Sequence, residues 1–263
     1  MGYRSKDQAP AAPAVTGRQE GPWSWQGAPG TGTILGLALN PGRVALWMFA
    51  MVAAIVAMHG VTQTFRFVTD RDAVFGLIPL FNMYEEANLP TWFSSLNLFL
   101  AALLLYVNAQ AARIAGERWR KHWLGLAGVF LFLSMDEAAT LHEIIGGIFK
   151  AGIAAESMRS AWMYPFVVMV GVLGLIYVRF LLALPAFYRV MFVLSASIYV
   201  GGAVGLEVIE AKYVWVTRSE LITFSTLVGI EEGLEMSGIV LFNYTLLRLL
   251  QDRLAGLHIT ARR

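Results

Sequence analysis

The chain has 263 residues, of which 57% are hydrophobic and only 14% charged, with a formal charge of +2 and a mean hydropathy of +0.59. A soluble domain carries about a quarter charged residues, so this composition predicts an all-α polytopic membrane bundle. The small charge excludes a nucleic-acid binder, and the absence of cysteine excludes disulfides and thiolate metal ligands.

Residues 1–41 are rich in Gly, Ala and Pro, show no clear period, and are expected to form a flexible cytoplasmic tail. Residues 42–250 are expected to form the transmembrane domain, and 251–263 a second cytoplasmic tail. About six spans are expected, at residues 44–60, 92–112, 123–149, 161–183, 187–210 and 221–250. The segment between the first two spans carries Asp70, Asp72, Glu85 and Glu86 and has room for an interfacial helix. Lys and Arg divide fourteen to six between the two sides, which predicts both termini in the cytoplasm. His59 and His122 fall at the ends of predicted spans and His258 in the tail, so interfacial or solvated roles are expected for them.

The third span holds Asp136, Glu137, His142 and Glu143 within an apolar run. An ionised side chain at the centre of a membrane helix costs about 2.5–3.5 kcal/mol on the translocon insertion scale, so this group must face protein, water or a cation. At helical spacing Asp136, Ala139 or Thr140, and Glu143 form one stripe. Glu207 and Glu210 lie near the end of the fifth span, and Glu231, Glu232 and Glu235 about three turns into the sixth. Under the six-span topology these acids share a depth in the outer half of the bilayer, which predicts one acidic chamber open to the outer face. Gly201, Gly202, Gly205, Gly229, Gly233 and Gly238 are expected to let the helices pack closely beside it.

Carboxylates with one imidazole and no thiolate suit a hard or borderline divalent ion: Zn, Ca, Mg, Mn or Fe. Candidate ligands are Asp136, His142, Glu143, Glu231 and Glu235, with Glu207 and Glu232 as candidate catalytic carboxylates and Glu86 and Asn88 as a second cation site. Three functions remain open. One is a metal-dependent enzyme acting on a lipid or lipid-linked substrate; the second is a transporter or sensor for protons or divalent cations; the third is a structural or assembly protein. The expected partners are membrane lipid and a lipid-like substrate or a cation.

Three motifs, Glu85-Glu86-Ala87-Asn88-Leu89-Pro90-Thr91-Trp92-Phe93-Ser94-Ser95, then Ser134-x-Asp136-Glu137-x4-His142-Glu143, then Glu231-Glu232-x-x-Glu235-Met236-x-Gly238, resemble those of an uncharacterised family of bacterial multi-pass membrane proteins. That resemblance implies a location in the bacterial inner membrane. A more distant one, carried by Glu86-x-Asn88 and Asp136-Glu137, is to alkaline ceramidase-like membrane hydrolases. In that family an E-x-N segment contributes to a calcium site and three histidines hold a zinc ion; the histidine set is missing here.

Overall fold

A computed structural model describes residues 23–26, 34–37, 40–72, 74–141, 163–206, 209 and 218–254. The chain divides into two compact units, residues 1–39 with 258–263 and residues 40–257. In the first unit, Trp23–Gln26 and Ile34–Leu37 pair as an antiparallel hairpin, inside the stretch expected to be a flexible tail.

The described elements of the second unit are all helical. Asn40 starts α1 (Pro41–Thr69) by accepting the Arg43 N–H at 3.1 Å, with Pro41 in the first turn, and Asp70 ends it in the left-handed conformation. A short helix, α2 (Leu77–Phe81), follows, with Ile78 buried and Leu77 and Leu80 exposed. Asn88 caps α3 (Leu89–Ile114) in the same way as Asn40 caps α1, through Thr91 N–H at 3.0 Å. The remaining helices are α4 (Arg120–Ala139), α5 (Met163–Ala183), α6 (Ala186–Val200) and α7 (Arg218–Leu254). A π-helical turn, Gly201–Leu206, continues α6.

Among the described residues, three helices are long and apolar enough to cross a bilayer: Pro41–Thr69, Leu89–Ile114 and Ala186–Leu206. Six were expected. Charged residues at both ends of α4 shorten its apolar length and α7 carries three carboxylates in its middle, whereas α5 is apolar along Met163–Ala183 apart from Arg179. Much of the outward surface is apolar: Leu46, Trp47, Val61 and Val68 on α1, and Val168, Leu175, Ile176 and Leu182 on α5, are all more than half exposed. Soluble monomers rarely show contiguous apolar patches of this kind.

α7 is the hub of the bundle. It packs on α1, α3, α6 and the π turn, while α3 packs on α4. One core cluster, around Leu105, Trp123, Phe180, Phe192 and Leu246, joins α3 to α7. A second, around Ile55, Phe93, Val228 and Met236, joins α1, α3 and α7. Polar contacts fix the register. Asn243 Nδ2 donates to Asn97 Oδ1 at 2.7 Å, and Ser95 and Ser134 each donate a hydroxyl to the other's carbonyl at 2.9 Å.

At the end where α3 meets α4, Arg253 donates to Glu117 at 2.8 Å and to Asn108, and its guanidinium lies 5.0 Å from the Trp123 ring. Burial pulls the Arg253 pKa below its ordinary value while Glu117 opposes the shift; a guanidinium stays protonated regardless. Replacing Arg253 with methionine should destabilise the protein by about 3 kcal/mol, because it strands the fully buried Asn108 acceptors and leaves Glu117 without its ion pair. Glu117→Gln should cost about 1 kcal/mol, since this carboxylate is partly solvated and Arg253 keeps Asn108 and Trp123. Denaturant titration of both variants compares the two losses, and an equal loss would show that Arg253 is not the keystone of this end.

Candidate functional site

Small residues on α7 bring the neighbouring helices close to its acids. A Cβ on Gly202 would stand 2.9 Å from the Glu231 carbonyl oxygen and 3.2 Å from Glu235 Cγ. A Cβ on Gly238 would stand 2.8 Å from Tyr199 N, and the Gly238 carbonyl accepts the Ser195 hydroxyl at 2.7 Å. Gly233 meets Val56 and Gly229 meets the His59 ring, whereas Gly201 and Gly205 face open space. Four of the six glycines expected to sit at close contacts therefore do so.

The π turn beside these contacts widens the helix where α6 passes Glu231 and Glu235. Insertions of this kind occur mostly at functional sites. One turn earlier, the half-buried Tyr199 shares a side-chain hydrogen bond with Glu235, and the Glu137 and Glu232 carboxylates act on the same phenol electrostatically. α4 and α7 thus both place carboxylates within electrostatic reach of Tyr199 on α6. Glu235 lies seventeen residues into α7, about 26 Å along it at 1.5 Å per residue, near the helix midpoint.

The structure changes the setting of the third-span acids. α4 does not continue through residue 149: it ends at Ala139, and Thr140 adopts a left-handed backbone with φ 52°. A left-handed residue turns the chain out of the helical path, so the stripe drawn from Asp136 to Glu143 stops there. Asp136 and Glu137, both half-buried, instead occupy the last turn of α4. The C-terminal end of a helix carries about half a negative charge, which adds to the negative potential of the cluster.

Glu231 is buried at 8% exposure, while Glu232 and Glu235 are half-buried. His142, Glu143, Glu207 and Glu210 lie outside the described residues. Among the described residues no three Asp, Glu or His side chains form a group able to hold a metal ion. In the E-x-N segment, Asn88 is buried and its amide serves the backbone: Oδ1 caps Thr91, and Nδ2 donates to the Asn82 carbonyl at 2.7 Å and to the Glu85 carbonyl. Glu86 is half-buried beside it.

Sequence reasoning missed His59, which is 3% exposed and far from a helix end. Its Nδ1 lies 3.2 Å from Met83 N and 3.1 Å from the Phe81 carbonyl oxygen, and its Nε2 lies 3.0 Å from the Ser225 carbonyl oxygen and 3.3 Å from the Ser225 hydroxyl. The ring thus ties α1 to the α2–α3 connection and to α7. Above it lies a cavity of about 400 Å³ reached by Gln63, Arg66, Asn82, Tyr84, Glu85 and Phe224. A signal for both existed: His59, Thr62, Gln63, Arg66 and Asp70 fall at helical spacing across Gly60, where the first span was expected to stop.

A family model, "Domain of unknown function (DUF8692)", matches residues 45–249. The chain belongs to the DUF8692 family. The matched stretch contains all three motifs noted in the sequence, from Glu85 to Gly238. No curated protein and no solved structure matches the chain.

Proposed function

We propose that this DUF8692 protein is a multi-pass inner-membrane protein that binds protons in an acidic intramembrane site, as the working centre of a transporter or sensor. One observation carries this: the Tyr199–Glu235 hydrogen bond between α6 and α7, on which Glu232 of α7 and Glu137 of α4 act electrostatically. Three carboxylates on a phenol, beside the negative end of α4, make a site whose stable occupant is positively charged. A widened turn next to it, rather than a tightly wound helix, suits entry and exit of that occupant.

The enzyme alternative needs a metal-activated water acting on a lipid or lipid-linked substrate. Its remaining ligands, His142 and Glu143, and its base, Glu207, lie outside the described residues.

The test compares purified full-length protein with a Glu137→Gln, Glu232→Gln, Glu235→Gln triple variant. Between pH 8 and 6 the wild type should take up at least one more proton per chain than the variant. Equal proton uptake in the two proteins would sink the proposal.

The topology that fits this site has six spans with both termini cytoplasmic, supported by the fourteen-to-six division of Lys and Arg. Reporter fusions at residue 263 and within residues 152–160 should then report opposite sides, and a common side would overturn it.

A further inference from the structure

We propose that the cavity above His59 is a second binding site, distinct from the acids at the middle of α7, and that it takes an organic ammonium cation. Its volume, about 400 Å³, lies in the range of small-molecule pockets, about 300–1,000 Å³. That is far too roomy for a bare metal ion, whose oxygen ligands must approach to about 2.0–2.6 Å.

The lining chooses the charge. Among the described lining residues Arg66 is the one cation, and even without Asp70, which has an interaction of its own, Asp72 and Glu85 leave a formal surplus of one negative charge. Arg66 Nε is held by Asp72 at 2.9 Å, so the one positive group is matched within the wall itself. An anionic ligand would have to displace that pair; a cationic one would not.

The lining also chooses the type of cation. Phe67, Tyr84 and Phe224 contribute aromatic rings, and Tyr84 and Phe224 meet edge to face at a centroid distance of 5.2 Å. Aromatic faces beside carboxylates recognise alkylated or primary ammonium groups through the ring quadrupole and the carboxylate charge together. The floor is built and rigid rather than collapsed. Gln63 and Asn82, 5% and 3% exposed, are joined by a 3.1 Å hydrogen bond, and Ser225 is fixed by His59. Tyr84 and Glu85 are exposed at the rim, so a ligand can enter without unfolding any of these contacts.

Phe75, Leu77 and Leu80 stand exposed on the connection that carries this rim. An ammonium ligand could therefore arrive free in solution or as the headgroup of a lipid. The chemistry recognised is the same in both cases.

The experiment titrates full-length protein in detergent with choline chloride and with ethanolamine hydrochloride, against sodium chloride at equal ionic strength. In parallel, thermal stability is compared in nanodiscs of phosphatidylethanolamine and of phosphatidylglycerol. Saturable binding of a soluble ammonium identifies a free ligand. A rise in stability in phosphatidylethanolamine alone identifies a headgroup. In either arm Glu85→Gln and Phe224→Leu should weaken the effect about tenfold, while Tyr84→Phe, which keeps the ring, should leave it within about twofold. Glu85 is exposed, so its variant folds even if Phe224→Leu does not. No effect in either arm, or an effect unchanged by Glu85→Gln, would overturn the proposal.

Discussion

Replacing Gly238 with leucine should prevent the bundle from assembling, and even Gly238→Ala should cost about 2–3 kcal/mol. The added Cβ meets backbone, not the free end of a side chain: Tyr199 N at 2.8 Å, Tyr199 Cβ at 2.9 Å and the Ser195 carbonyl oxygen at 3.1 Å. Neither helix can yield locally, so α6 must move away from α7 as a body. That movement would break the 2.7 Å bond from the Ser195 hydroxyl to the Gly238 carbonyl and draw Tyr199 away from Glu235. Overpacking a close core typically costs about 1–3 kcal/mol for a few added carbons, and the lost hydrogen bonds add to it. Gly205 is the control, because a Cβ there meets nothing within 4 Å; Gly205→Ala should stay within about 0.5 kcal/mol of wild type. Thermal melts of the three variants in detergent decide it, and a Gly238→Ala protein as stable as Gly205→Ala would refute the close-contact account.

His59→Ala should be comparably severe, at about 4 kcal/mol, for a different reason. The imidazole is buried and holds three segments at once, with Met83 N and the Phe81 carbonyl at Nδ1, Ser225 at Nε2 and Gly229 packed on its ring. Truncation leaves buried polar groups of the Phe81–Met83 connection without this partner, at about 1–3 kcal/mol each, and opens a void. His59→Phe separates the two causes: the void is filled but the hydrogen bonds are not restored, so about half of the loss should remain. Hydrogen exchange should also show the stretch from Asn82 to Asn88 opening more readily in both variants. A His59→Ala protein within about 0.5 kcal/mol of wild type would mean that the ring is not a tie.

The helices were legible where apolar length decides them. The expected spans at residues 92–112 and 221–250 fall within α3 and α7, because caps and polar ends sit close to the ends of those apolar runs. Two boundaries were not legible. Gly60 looks like a stop, yet a helix tolerates one glycine when a polar stripe at His59, Gln63 and Arg66 is supplied with partners by another segment. Those partners, Asn82 and Ser225, are 19 and 166 positions away, which no local pattern reports. The end of α4 was hidden for the opposite reason. The sequence stays apolar beyond Thr140, and only the left-handed backbone there shows the stop. Of the acidic site, the shared depth pointed to Asp136, Glu143, Glu207 and Glu231 or Glu235, whereas the carboxylates acting on Tyr199 are Glu137, Glu232 and Glu235. Tyr199 was not foreseeable, because a tyrosine near the end of a span reads as an interfacial anchor until its partner on α7 is in place.

The central position of α7 also has a consequence for how the chain is made. Asn97 waits 146 positions for Asn243, and His59 waits 166 for Ser225. At about 5–20 residues per second, the second interval lasts about 8–33 s. During it α1 and α3 are already synthesised, and the His59 ring already has Met83 within reach, but its Nε2 and the Asn97 amide still lack their partners on α7. These two groups are sealed only when α7 emerges, so α1 and α3 stay open on that side until then.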